Sequence, residues 1–552
     1  MLAAGPDFGG RMLKPGLTPL VPVLSLIWGA VIIPIVTRFR LWQERDALAL
    51  VMAGVAFVTT LFLTCQPASY VVISPWLSWA LLGSPLAYIT KGLAAPLALL
   101  TSLVCLAIVI SLSGWRREAD DDGRNRLYPM VFLASAAGLS FIYSANLITL
   151  CLSWAFLDLS LLFLIAGQRH RQIASETWRR ALIMSSLTGL SLVMATLLPE
   201  SPSLAFILLL AALVRAGFYP LHFWILTASE AKSPANTLLQ AISITTGLAL
   251  LARAQEFSPQ GLPCRSQLIV ISSLALVATA LSAWAEQDRR RGVSWVALNQ
   301  IVLAVLSVAV VGQSPSVILW SAINLALCLS LLNLEPPERA GKYGCWYRVP
   351  MGLALASLMG LPFTMGFVGR AVLYRSLFAL SQPCLWSLST VADVGLFAAL
   401  FRIGADRAQC SANSPFSGWM SHLASAVILA VPLLWLGVYP PLAGPLAVGT
   451  DLPTAAEWIG QADPALWAVL LLPLAGGYLL YQGQKVLRER SAAFWKGLAA
   501  LLRLDWFHRW FWKAGWGIGA VWRGLARIME GEGYLGWTLL LALIVFLLLS
   551  GR

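Results

Sequence analysis

Charge is scarce in this chain. Asp, Glu, Lys and Arg make up 11% of its 552 residues, less than half of the ~25% usual in soluble domains. With 59% hydrophobic residues and a mean hydropathy of +0.76, a water-soluble fold is excluded and a polytopic membrane protein is expected. Paired cysteines are missing as well. The eight thiols stand at 65, 105, 151, 264, 328, 345, 384 and 410 with no CxxC among them, so no iron–sulfur, zinc or disulfide framework is expected. Gly515-Trp-Gly-Ile-Gly519 lacks the GxGxxG spacing and follows no strand, so it is no nucleotide fingerprint. No cofactor and no resident metal are expected. The N-terminus has no basic region ahead of a short apolar stretch and cleavage site, and the first span is expected to be retained.

Long apolar runs are what the chain has in abundance. Stretches of bilayer-spanning length recur near 17–37, 47–65, 88–112, 128–146, 148–167, 181–198, 204–226, 236–252, 267–285, 293–311, 315–332, 350–379, 385–402, 421–439, 465–482 and 534–550, about sixteen in all. The net charge of +13 sits mostly in short loops. Arg38, Arg40 and Arg45 follow the first span, Arg116, Arg117, Arg124 and Arg126 the third, and Arg169, Arg171, Arg179 and Arg180 the fifth. Arg289–Arg291 follow the ninth, Arg339, Lys342 and Arg348 the eleventh, and Arg402 and Arg407 the thirteenth. Loops after the second, fourth, sixth, tenth and fourteenth spans carry no Lys or Arg. That alternation follows the positive-inside rule and places the N-terminus outside the cell membrane.

Between 483 and 533 the pattern changes. Lys485, Arg488, Arg490, Lys496, Arg503, Arg509, Lys513, Arg523 and Arg527 interleave with Trp495, Trp506, Trp510, Trp512, Trp516 and Trp522. Basic and aromatic residues mixed in this way suit a helix lying on an anionic leaflet, and no nucleic-acid partner is expected.

A few charges fall inside the spans. Arg215 lies within Leu204–Leu226, followed by Gly217, Pro220 and His222. A guanidinium at the bilayer centre costs at least ~3 kcal/mol, so it must face a polar protein interior. The glycine and proline mark a broken helix, as in ion and proton pathways. Arg215 stays charged at working pH; it tunes a neighbouring proton site rather than carrying the proton. Asp158, in Cys-Leu-Ser-Trp-Ala-Phe-Leu-Asp (151–158), is either a proton carrier paired with a cation or a structural ion-pair member. His222 is either a packed ring or part of the path. Gly360-Leu-Pro-Phe-Thr-Met-Gly-Phe-Val-Gly-Arg370 repeats the break-plus-cation pattern. Lys91, Glu230, Lys232 and Asp393 rank lower, as residues mostly near span ends with a solvated face.

From about 85 to 405 the chain resembles the antiporter-like subunits of respiratory complex I and of Mrp-type Na+/H+ antiporters. Val214-Arg-Ala-Gly-Phe-Tyr-Pro-Leu-His-Phe-Trp224 is similar to the family's V-K-x-x-x-x-P-x-H-x-W, followed by Gly247-Leu-Ala-Leu-Leu-Ala-Arg253. Asp288-Arg-Arg-Arg-Gly-Val-Ser-Trp295, with Gln300, resembles D-x-K-R-x-L-A-Y, and Leu361–Arg370 resembles L-P-x-T-x-G-F-x-G-K. Two further C-terminal spans joined by an amphipathic stretch look like the distal subunit of this type.

The resemblance implies an all-α membrane fold with two inverted five-helix repeats, each with a broken helix, and a C-terminal amphipathic surface helix. The family's two broken-helix lysines fall on Arg215 and Arg370. Its fifth-helix glutamate falls on Ala155, with Asp158 a substitute on the same helix face. Its eighth-helix His or Lys falls on Gln240 or Thr245, and its eleventh-helix H-x-x-x-K on Ser321 to Leu325, without those functional groups. The implied ion path runs through Asp158, Arg215, His222, Gln240 and Arg370.

The expected organisation is N-terminal helices over 1–127, a first repeat over 128–252, a second over 253–405, core helices over 406–482, a lateral segment over 483–533 and a terminal span over 534–552. The implied function is that of a membrane-arm subunit of an NADH:quinone oxidoreductase-like assembly, carrying protons or Na+ while partner membrane subunits do the redox chemistry. The alternative is a non-pumping structural or coupling subunit of a related complex, such as a membrane hydrogenase, an inorganic-carbon uptake system or an Mrp antiporter.

Overall fold

The computed structural model describes residues 14–15, 18–38, 42–66, 69–73, 85–90, 92–114, 121–166, 171–198, 202–228, 233–258, 261–312, 315–334, 348–380, 382–405, 419–440, 464–490, 492–502 and 504. Lys91, Glu230, Lys232, Trp506, Trp510, Trp512 and the span at 534–550 lie outside the described residues.

In chain order the helices are α1 (Val21–Arg38), α2 (Trp42–Cys65), α3 (Ala94–Ser113), α4 (Asp121–Tyr143), α5 (Leu147–Ala166) and α6 (Arg171–Leu197). Then come α7 (Pro202–Ala216), α8 (Phe223–Ala228), α9 (Ser233–Glu256), α10 (Arg265–Ala285), α11 (Arg289–Val311) and α12 (Pro315–Asn333). The rest are α13 (Arg348–Met359), α14 (Met365–Ala379), α15 (Pro383–Ala405), α16 (Trp419–Val438), α17 (Pro464–Arg490) and α18 (Ala492–Leu502). Twelve of the described helices are long and apolar enough to cross a bilayer, against the sixteen runs counted in the sequence. The difference comes partly from α7 and α13, which are shorter because each ends at a break.

One element departs from the all-helical expectation. Ser69–Ile73 (β2) pairs in parallel with Lys14–Pro15 (β1) and antiparallel with Leu86–Ile89 (β3). The β-branched run Val71-Val-Ile73 suits a strand, and pairing satisfies backbone groups that a loop here would leave open.

Burial separates centre from rim. The apolar windows of α9 and α11 are each 94% buried, whereas those of α1 and α2 are 33% and 28% buried. The rim helices expose Leu24, Trp28, Val31, Val51, Val58 and Phe62. Apolar residues all round a helix need no polar face when the solvent is lipid.

Arginines stitch the helix ends. Arg265, opening α10, donates to the Ala309 and Val310 carbonyls at the end of α11, at 2.7 Å each. Arg402, near the end of α15, donates to Trp284 O and Ala283 O at the end of α10, at 2.8 and 2.9 Å. These carbonyls have no partner within their own helices, and a cation there also meets the negative end of the helix dipole. Asp288 opens α11 by accepting from the Arg290 N–H at 2.9 Å, a normal N-cap.

The chain divides into two compact units, Met1–Leu487 and Arg488–Arg552. In the second, the described helix is α18, whose sequence Ala-Ala-Phe-Trp-Lys-Gly-Leu-Ala-Ala-Leu-Leu carries the single cation Lys496. The sites described below lie in the first.

Candidate functional site

Two broken helices set the geometry. α7 stops at Ala216 and α8 starts at Phe223; Gly217 between them has φ +75°. α13 stops at Met359 and α14 starts at Met365, with Gly360 at φ +71°. Both glycines adopt the left-handed region, where a side chain is penalised. At Gly360 the space is also taken, because an added Cβ would meet the stem of Arg370.

Arg215 is the penultimate residue of α7 and is buried with 6% exposure. Its Nη1 donates to Asp158 Oδ1 on α5 at 3.0 Å, and its Nε donates to Thr246 Oγ1 on α9 at 3.2 Å. A guanidinium at the C-terminal end of a half-helix sits where the backbone dipole favours positive charge. Beside the pair is a cavity of about 30 Å³ lined by Asp158, Arg215, Ser185, Thr188 and Trp224, among others. That volume holds roughly two water molecules. Arg215 Nη2 is buried with no hydrogen-bond partner among the described residues.

The second break builds a comparable arrangement. Arg370 and Asp393, both 2% exposed, form an ion pair through Nη1 and Oδ2. Arg370 Nη2 donates to Leu358 O at 3.0 Å, a carbonyl left open where α13 ends. The guanidinium lies over the Phe397 ring, 5.0 Å from its centroid. Tyr374 Oη donates to the same Asp393 Oδ2 at 2.7 Å. A second cavity, also about 30 Å³, is lined by Arg370, Gln300, Ser307, Ser321 and Asn324, among others. Asn324 stands at the base of the break, accepting from Ser357 Oγ at 2.7 Å, and Ser357 Oγ in turn accepts from the Gly366 N–H at 3.1 Å.

Gln240 lies in neither site. It closes a ring of three amides. Asn236 Nδ2 donates to Asn333 Oδ1 at 3.4 Å, Asn333 Nδ2 to Gln240 Oε1 at 2.8 Å, and Gln240 Nε2 to Asn236 Oδ1 at 3.1 Å. Gln240 Nε2 also donates to Ser294 Oγ on α11 at 3.1 Å. The ring joins the start of α9 to the end of α12, near one end of the bundle.

His222 is fully buried in the first break. Its ring packs against Tyr219, Phe223 and Trp295, with centroids 4.9, 5.1 and 5.1 Å away. Nδ1 lies 3.2 Å from Pro220 O, and Nε2 has no partner among the described residues. The structure therefore joins Asp158 to Arg215, but gives His222 no hydrogen bond to either of them or to Gln240.

Asp393 corrects the lower rank the sequence reading gave it. It is the eleventh residue of the 23-residue α15 (383 to 393 inclusive), about 15 Å from its first residue and about 18 Å from its last at 1.5 Å per residue. Its central position in the 385–402 span was a usable signal. Tyr374, four residues after Arg370 on one helix face, was another. Nothing in the sequence marked Asn333 as the partner of Gln240.

Comparisons with known proteins follow the same lines. Residues 198–334 match the family described as NADH:quinone oxidoreductase/Mrp antiporter, TM. The chloroplastic NAD(P)H-quinone oxidoreductase subunit 5 of Triticum aestivum is 23% identical over 353 residues, covering 58% of this chain and 47% of the relative. The chain thus spans about half the length of the curated relatives it matches. Among solved structures, a chain of the Mrp complex from Dietzia sp. superposes with TM-score 0.76 at 20% identity, covering 97% of this chain and 63% of that one. A chain of the archaeal membrane-bound sulfane sulfur reductase gives 0.70 at 16% identity, covering 97% and 100%. A chain of respiratory complex I from Thermus thermophilus gives 0.60 at 20% identity, covering 78% and 100%. Family match, relatives and fold agree that this multi-pass membrane chain is similar to antiporter-like subunits.

Proposed function

We propose that this chain is a membrane-arm subunit of a multisubunit, redox-driven assembly and forms part of its proton path. Supporting this is the match at 198–334, which spans Arg215, His222 and Gln240. The observation that carries the reading is the presence of a buried Arg–Asp pair at each of the two broken helices. Replacing a buried ion pair with well-packed apolar residues is often neutral or stabilising, so a scaffold gains little by keeping two of them.

In this reading Asp158 takes and releases the proton, and Arg215 holds its carboxylate and senses its charge. Thr246 orients the guanidinium, and the adjoining cavity admits the water that delivers the proton. His222 and Gln240 pack and align the helices between the two breaks. Arg370 serves the second repeat, 253–405, as Arg215 serves the first, 128–252. Each site offers a single carboxylate, which suits a proton better than a dehydrated Na+ that needs several oxygen ligands. Redox chemistry belongs to partner membrane subunits. The alternating basic loops support a cell-membrane location with the N-terminus outside.

The test is proton transport by the complex in proteoliposomes. Asp158→Asn and Arg215→Ala are expected to depress coupled transport at least tenfold while electron transfer continues, and replacing Na+ with choline is expected to leave the parent rate unchanged. Parent-like pumping by both variants overturns the path reading in favour of a scaffold; loss of transport in choline assigns Na+ instead.

A further inference from the structure

We infer that Asp393 is the proton-binding carboxylate of the second half of the bundle, with Arg370 and Tyr374 as its positioning residues. The inference rests on the proton-path reading and extends it to α15, whose Asp393 ranked among the lower candidates in the sequence.

The two oxygens of Asp393 are treated differently. Oδ2 takes the ion pair from Arg370 and the hydrogen bond from Tyr374 at 2.7 Å. Oδ1 is buried with no hydrogen-bond partner among the described residues. A purely structural carboxylate so deep in a bundle is expected to use both oxygens, because a buried acceptor left unmet loses its hydration with nothing in return. The open oxygen is the one on which a proton can be placed without disturbing the bonds on the other.

Among the described residues, no other group facing Asp393 competes for that role. On α14 the groups facing Asp393 are Arg370 and Tyr374. The titratable side chains of α10, α11 and α13, which pack against α15, are Arg265, Arg289–Arg291 and Arg348, all in the opening turns of their helices. On α17, Tyr478 and Tyr481 lie beside Phe401, two turns further along α15. Arg402, on α15 itself, is held by the end of α10.

The step balances without any redox partner. A hydronium ion that reaches Oδ1 gives up its proton and becomes water; the carboxylate becomes a neutral acid. The Arg370–Asp393 ion pair then weakens to a neutral-acceptor hydrogen bond. The guanidinium charge is left to the Leu358 carbonyl, the Phe397 ring and the cavity lined by Gln300 and Asn324. Loss of the proton to water restores the pair. Protonation of one carboxylate thereby changes the field in a cavity between α11, α12 and α14, which no neutral residue at position 393 reproduces.

The experiment uses the full chain in its complex, in proteoliposomes, with two readouts: coupled proton transport and the protonated-carboxyl band in infrared difference spectra across a pH step. Asp393→Asn is expected to cut transport at least tenfold and remove one band component, Asp393→Glu to restore part of both, and Tyr374→Phe to shift that component while leaving assembly intact. Parent-like transport in Asp393→Asn, with loss in Asp158→Asn, overturns this inference and leaves the broader reading standing; parent-like transport in both removes the broader reading. If Asp393→Asn fails to assemble, Tyr374→Phe decides alone: a shifted band supports the assignment, and an unshifted one overturns it.

Discussion

Asn333 donates through Nδ2 to Gln240 Oε1 at 2.8 Å, tying the last residue of α12 to the second turn of α9. The bond is one side of a closed amide ring in which each member donates and accepts once. Amides do not exchange protons readily, so the ring holds helices together but offers no titrating step of its own. It stands where the resemblance to antiporter-like subunits led one to expect His or Lys.

Breaking the ring on one side is expected to cost more than removing it. Gln240→Leu takes the ring acceptor from Asn333 Nδ2 and the ring donor from Asn236 Oδ1, for about 1–3 kcal/mol. The triple change Asn236→Leu, Gln240→Leu, Asn333→Leu replaces all three amides and is expected to recover most of that loss. Thermal unfolding of the complex in detergent compares the two, and equal Tm losses count against the ring as a unit.

The first ion pair behaves similarly, with larger stakes. Arg215→Ala leaves Asp158 as an uncompensated buried charge, a loss of about 3–5 kcal/mol. Asp158→Leu with Arg215→Met is expected to be close to neutral in stability and silent in transport. A double-mutant cycle in Tm gives the coupling, and additive losses sink the claim that the two groups pair.

Backbone geometry gives a third expectation. Gly360→Ala puts a Cβ at φ +71° and against the Arg370 stem. The substitution is expected to cost about 1–3 kcal/mol through strain and overpacking, and to displace Arg370. Reduced transport at retained electron transfer is the signature to measure; an unaltered rate argues against Gly360 as a seat for Arg370.

A close helix approach gives the fourth. A Cβ on Gly247 would lie 2.8 Å from the backbone of Ala216, at the end of α7. Gly247→Ala is therefore expected to push α9 from α7 and lengthen the Arg215–Thr246 bond. Lower assembly yield in membranes, rescued in part by Ala216→Gly, checks this. Full assembly without rescue removes the contact from consideration.

The sequence alone determined the membrane environment and the resemblance. Scarce charge and recurring apolar runs left lipid as the only solvent in which such helices are stable, and glycine, proline and a cation within one span marked both breaks before any coordinates. Those are local properties, carried by neighbouring residues. The tertiary structure decided which charges meet. Asp158 on α5 meets Arg215 on α7, Arg370 on α14 meets Asp393 on α15, and Gln240 on α9 meets Asn333 on α12. Periodicity reports which residues share a helix, whereas pairing depends on how helices pack and rotate against one another. For the same reason the sequence leaves His222 as either a packed ring or part of the path, where the structure surrounds it with aromatic rings, and ranks Asp393 among solvated residues, where the structure buries it in a salt bridge.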